Sequence, residues 1–134
     1  MIMSAPTNKQ IIEDIFAGLA RGESKLFVES MADDFRWSLA GVTRWSQTFD
    51  GKHAVLTELF ALLGSTIDGP ILTTAQRFIA DGDFVVVEAQ GKSTTKAGIP
   101  YNNKYCFVFR LAGGKLREVT EYMDTELATA AIGG

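Results

Sequence analysis

The run Tyr101-Asn102-Asn103-Lys104-Tyr105-Cys106-Phe107-Val108-Phe109-Arg110-Leu111, the pair Gly113-Gly114, and the run Lys115-Leu116-Arg117-Glu118-Val119-Thr120-Glu121-Tyr122-Met123-Asp124 decide how this chain is read. Both runs are rich in aromatic and β-branched residues with alternating character, and the glycine pair between them signals a hairpin. Residues two apart on a strand share a face. The first strand therefore sets Tyr101, Asn103, Tyr105, Phe107 and Phe109 on one side, and the second groups Glu118, Thr120, Tyr122 and Asp124. Phenols, an amide and carboxylates beside large aromatics make a mix suited to an apolar cavity with a few polar tips.

Upstream, Asp81-Gly82 joins two further strand-like runs, Ile71 to Ala80 and Phe84 to Thr95, in a second hairpin. On its second arm Val86, Glu88 and Gln90 share one face, and Glu88 turns either to solvent or into a polar site. Lys96 to Pro100 is a turn leading into the terminal hairpin. The first half is helical. Thr7 and Gln10 match a capping box, followed by Ile11, Ile12, Ile15, Phe16 and Leu19 at helical spacing, which predicts a helix to about Arg21 with Gly22 as its stop. A shorter helix from Ser24, a turn at Asp33-Asp34 and a short strand over Phe35 to Leu39 come next. Ala40 to Gly51 reads as a loop whose Trp45 and Phe49 either pin it to the core, the reading favoured by how large aromatics pack, or roof a cavity. Asp50 is placed to cap a third helix carrying Val55, Leu56, Leu59, Phe60, Leu62 and Leu63. The tail from Thr125 reads as a frayed end or a short cap.

Helices ahead of strands in hairpin succession predict an α+β domain spanning residues 1–134, with one curved, mainly antiparallel sheet wrapping the helices and a pocket at its open end. Composition agrees: 134 residues, 46% hydrophobic and 22% charged, describe a globular chain able to bury one core. A net charge of -3 argues against nucleic acid as partner. No apolar run approaches the ~18 residues that span a bilayer. The lone Cys106, read as a small buried hydrophobe, and a start (Met1 to Pro6) without a basic or apolar leader point to a cytoplasmic protein. His53 is the sole histidine, so a zinc site and a Ser-His-Asp triad are both disfavoured, and no metal or cofactor is expected.

The element order, together with Phe49-x-Gly51, Phe78-Ile79-Ala80-Asp81-Gly82-Asp83, Tyr101 to Tyr105, Gly114-Lys115-Leu116 and Glu121-Tyr122-Met123-Asp124, resembles the nuclear transport factor 2-like superfamily, and within it the SnoaL-like proteins related to ketosteroid isomerase. The resemblance runs from about Thr7 to Glu126. It implies a cone of curved sheet closed by helices, and a homodimer formed through the sheet's outer face, where Val85, Val87, Cys106 and Val108 would be covered. It also implies a cavity carboxylate at Asp124 acting as general acid/base. The Arg-x-Asp pattern of the related epoxide hydrolase is missing at Glu88-Ala89-Gln90, which disfavours that reaction.

The resulting expectation is an isomerase or cyclase of the ketosteroid isomerase/SnoaL type, moving a proton on a small, largely apolar carbonyl compound. In it Asp124, Tyr122 and Glu88 are catalytic, while Tyr105, Asn103, Tyr101, Trp37 and Phe107 bind substrate. The alternatives are a binding module for a small hydrophobic ligand, in which the same carboxylates only satisfy nearby donors, and a dimeric scaffold without a cavity. Asp124 also opens the short terminal segment Thr125 to Ala128, where aspartate is a favoured helix cap.

Overall fold

The computed structural model describes residues 6–133; the start read above for a leader, Met1 to Ala5, and the terminal Gly134 lie outside the described residues. Helix α1 (Asn8–Leu19) begins at the expected capping box, in which the Gln10 amide donates to the Thr7 side chain at 3.2 Å and the Thr7 amide to the Gln10 side chain at 3.0 Å. Its apolar stripe, Ile12, Ile15 and Phe16, is buried against the concave side of the sheet, where Phe16 meets Phe78, Phe107 and Phe109 edge-on or tilted. Helix α2 (Lys25–Ser30) adds Phe27, which packs on Phe35 and Trp37.

The strands are β1 (Met31–Leu39), β2 (Thr48–Asp50), β3 (Ile67–Asp81), β4 (Phe84–Thr95), β5 (Lys104–Ala112) and β6 (Lys115–Met123). They form a sheet in the order β2-β1-β6-β5-β4-β3, antiparallel throughout except where β1 runs parallel to β6. The fold is α+β, with a mixed curved sheet around the N-terminal helices. Gly113 and Gly114, with φ of 60° and 75°, turn the β5–β6 hairpin; two successive left-handed residues match the twist of the strands they join.

Several local expectations are corrected. Asp33 and Asp34 are not a turn. They lie inside β1 at a bulge where the pairing jumps from Met31–Leu116 to Arg36–Glu118, so both side chains face water and Asp34 accepts from Arg117 at 3.0 Å. The expected loop before Gly51 contains β2, whose three residues are too few to display an alternation. Asp50 ends β2 and caps nothing, because Gly51 is the N-cap of the next helical segment. That segment is α3 (Lys52–Ala54), a wide π turn (Val55–Leu59) and α4 (Phe60–Thr66). Its His53 is exposed, and no cluster of metal-ligating side chains occurs among the described residues.

Val85 and Val87 are fully buried in the core, since Val87 pairs with Phe107 and Val85 with Phe109; Val86, Cys106 and Val108 lie on the outer face instead. Cys106 is half-buried there, its thiol pushed up by desolvation and by Glu88. Among the described residues, no helix is long and apolar enough to cross a membrane.

The tail is a true helix, α5 (Thr125–Ile132), whose N-cap is Asp124: its side chain accepts from the Glu126 and Leu127 amides, both at 3.1 Å. Ala128 and Ile132 of α5 join Trp45, Ile67 and Tyr101 in a second apolar cluster. Asp124→Ala should cost about 1 kcal/mol, seen as a melting temperature lowered by roughly 3–5 °C. Unchanged melting would mean that the cap contributes nothing to α5.

Candidate functional site

Between the helices and the concave face lies a cavity of about 400 Å³. Its exposed rim carries Ser24, Gly64, Gly69 and Pro70, and its buried wall includes Trp37, Trp45, Tyr101, Phe107, Phe109 and Glu121. The lining is predominantly apolar and aromatic, as small-molecule sites are. Glu121 is the one carboxyl group in it, and no Lys, Arg or His lines it, among the described residues.

The placement of Glu121 follows from strand parity. Phe107 pairs with Glu121 and Phe109 with Val119, so Val119 and Glu121 share the concave face with those phenylalanines. Glu121 is 7% exposed, and its Oε1 accepts a hydrogen bond from Trp37 Nε1 at 3.1 Å. Trp37 is itself wedged by Phe27 at 5.6 Å and by Phe60 at 5.9 Å. Burial pushes the Glu121 carboxyl up from its ordinary 4.5 to about 7, and the indole hydrogen bond offsets only part of that.

Two phenols also face the cavity. Tyr101 is 3% exposed, and its oxygen accepts from Asn103 Nδ2 at 2.9 Å. Tyr105 stacks on Phe107 with ring centroids 5.2 Å apart. Its ring lies across Gly91 of β4, where a Cβ would come within 2.8 Å of it. Burial raises both phenols, and the nearby Glu121 carboxyl raises them further.

Of the residues expected from sequence, Tyr101, Tyr105, Trp37 and Phe107 converge on the cavity. Asn103 is fully buried but stands behind Tyr101, outside the lining. The three expected catalytic residues are elsewhere. Tyr122 is 51% exposed on the outer face, one position out of phase with Glu121. Glu88 lies on that same face, exposed and 3.3 Å from Arg77. Asp124 is spent on capping α5. The expected alternation on β6 sets the wrong residues inward and leaves Glu121, the inward acid, outside the expected site. The signal for it was present: Val119, Glu121 and Met123 alternate, and a valine beside a lone acid is the more apolar face.

Trp45 both pins its loop and lines the cavity, donating from Nε1 to the Gly133 carbonyl at 2.7 Å. For stability, the sign at Glu121 is fixed by its raised value. Between pH 4.5 and 7 the folded protein keeps a proton that the unfolded chain has released. Stability should therefore fall as pH rises through that window, by about 3 kcal/mol, and level off above it. Urea titrations across the window should show this slope in the native protein and its loss in Glu121→Gln; parallel profiles would rule out the raised carboxyl.

Solved structures of the same fold confirm the architecture. An NTF2-like protein of unknown function from Burkholderia pseudomallei superposes with a TM-score of 0.82 at 19% identity, over 97% of this chain and 100% of its own. TerC, co-crystallised with polyporic acid, gives 0.76 at 20% identity, over 92% and 96%. A protein with a ketosteroid isomerase-like fold from Catenulispora acidiphila, in complex with trimethylamine, gives 0.74 at 17% identity, over 95% of each chain. No curated protein matches the sequence. The pattern of the SnoaL-like domain, however, matches residues 12–119, most of the chain, and the protein belongs to the SnoaL-like domain family.

Proposed function

We propose that this protein moves a proton on a small, uncharged, largely apolar carbonyl or enol compound bound in the cone, with Glu121 as the acid/base. The observation that carries the reading is a single carboxyl group, buried, indole-anchored and raised to about 7, facing an aromatic cavity of ligand size. A carboxyl titrating near the working pH can both give and take a proton, which is what general acid/base catalysis asks of it. Among the described residues, the cavity lining offers no cation to hold an anionic substrate. Tyr101 and Tyr105 supply the other polar contacts to the ligand's oxygen. Support of a coarser kind comes from relatives: proteins of this fold hold polyporic acid and trimethylamine, so the fold accommodates small molecules.

A ligand carrier without turnover is the second reading. It is favoured by the Trp37–Glu121 hydrogen bond, which already satisfies one carboxyl oxygen. A thermal-shift panel of steroids, aromatic polyketides, and terpenoid ketones and epoxides is the first test. A ligand at 100 times its dissociation constant stabilises by ~2.7 kcal/mol and raises the melting point several degrees. Compounds that shift the protein are then assayed for turnover. Glu121→Gln should bind them as the native protein does while losing about a hundredfold or more in rate. Equal rates would remove Glu121 from the chemistry, and binding without turnover in either form would establish the carrier.

The outer face supports a homodimer. Ile79, Val86, Val108 and Thr120 form a row across its strands, with Ile79 51% exposed and Tyr122 equally so alongside. The ion pairs Arg77–Glu88 and Arg110–Glu118 flank that row. Light scattering behind size exclusion should give twice the chain mass, and Val108→Glu should give the chain mass; a native protein that elutes as a monomer at micromolar concentration removes the interface.

A further inference from the structure

Asn103 is fully buried behind the cavity wall, and its carboxamide uses every hydrogen-bonding position it has. Oδ1 accepts from the Lys104 amide at 2.8 Å and the Asp124 amide at 3.1 Å. Nδ2 donates to the Asp124 carbonyl at 3.0 Å and to the Tyr101 oxygen at 2.9 Å. Three of these four partners are backbone groups whose donor or acceptor character is fixed. Rotating the amide by half a turn would set its oxygen against the Asp124 carbonyl and its NH2 against two N–H groups. The orientation is thereby determined, and with it the direction of the fourth bond.

That direction has a chemical result. The Tyr101 oxygen is an acceptor from Asn103, so its own proton cannot point there. Its protein acceptors are Met123 Sδ at 3.7 Å, a weakly accepting thioether, and the neighbouring Tyr105 phenol. A ketone or enolate oxygen in the cavity is a stronger acceptor than either, so Tyr101, which lines the cavity, turns its O–H to such a ligand. At pH values where Glu121 keeps its proton, the polar end of the cavity then presents the Tyr101 O–H and the Glu121 acid proton to a ligand.

We infer that Asn103 is a positioning residue: by donating to Tyr101 it commits that phenol to donate into the cavity, so the site selects ligands bearing an acceptor-only oxygen, of ketone or enolate type. The inference rests on the cavity being the ligand site, and on Glu121 being its acid. Asn103 itself touches no ligand.

The test uses two probes of matched shape, methyl naphthyl ketone and isopropenylnaphthalene, which differ in a C=O against a C=CH2. By calorimetry the native protein should bind the ketone about tenfold more tightly than the alkene, and the bound C=O stretch should move to lower frequency. Tyr101→Phe should erase most of that preference and of the infrared shift, with alkene affinity unchanged. Asn103→Asp replaces the donor with an acceptor that recaptures the phenol proton, and should do the same.

Should the buried Asn103→Asp fail to fold, the Asn103 side-chain amide signals settle the question: one proton should move upfield in Tyr101→Phe relative to the native protein. Amide signals that stay in place, or a ketone preference that survives Tyr101→Phe, overturn the inference. Equal binding of both probes by the native protein overturns it while leaving the cavity intact as a ligand site. Binding of neither removes the ligand site and the inference together.

Discussion

A paired strand gives each side chain only two directions, and the pairing of Phe107 with Glu121 settles which of them every residue of the last hairpin takes. Sliding that register by a single residue would move Val119 and Glu121 to the outer face and bring Thr120 and Tyr122 inward. The register is held by burial. Leu116 and Val119 of β6 are each at most 1% exposed and would be turned out to the outer face in the slipped alternative, leaving Phe109 and Leu111 of β5 without those partners. The cavity, its acid and the aromatic wall are consequences of that one alignment. The parallel contact with β1 then brings Trp37 to the Glu121 carboxyl from the neighbouring strand.

Within that frame, the polar groups at the cavity end are costly to bury and are met in two different ways. Asn103 is matched by four partners and behaves as part of the scaffold, joining the segment before β5 to the start of α5. Glu121 has one protein donor and a second oxygen left to the cavity side, so the fold accommodates it by retaining its proton. A fully satisfied amide is rigid, whereas a half-satisfied acid stays responsive to whatever enters. The contrast separates support from chemistry within a few ångströms of the same wall.

Much of this architecture could be read from the chain, and the failures have physical causes. Both hairpins were legible because only a few residue types accept such turns, although the first turns at Gly82-Asp83, one residue past the Asp81-Gly82 pair that announces it. The aromatic face of β5 was legible because Tyr105, Phe107 and Phe109 alternate without interruption. The face of β6 was legible only in part, through the alternation of Val119, Glu121 and Met123. Its inward set is Leu116, Val119 and Glu121, in which a register shift opposite Arg110–Leu111 replaces a spacing of two with three, so simple alternation counted from the apolar Leu116 lands on the outer face. The bulge in β1 misled in the same way, presenting Asp33-Asp34 as a turn. Irregular pairing is a property of two strands together, which one strand's sequence does not display. The role of Asp124 was ambiguous for another reason, since a cavity acid and a helix cap call for the same residue type at a strand's end.

Gly91 separates the evolution of the cavity from that of the fold. The Tyr105 ring, stacked on Phe107, rests on its bare Cα, so the depth to which that ring sinks depends on the missing methyl group as well as on that stack. A larger residue there would lift the ring off β4 and reshape the chamber, while the strand's own pairing to β3 and β5 stayed available. Proteins that diversify their ligands on one scaffold need positions of this kind, where volume can be traded in steps of one carbon without reopening the question of how the chain folds.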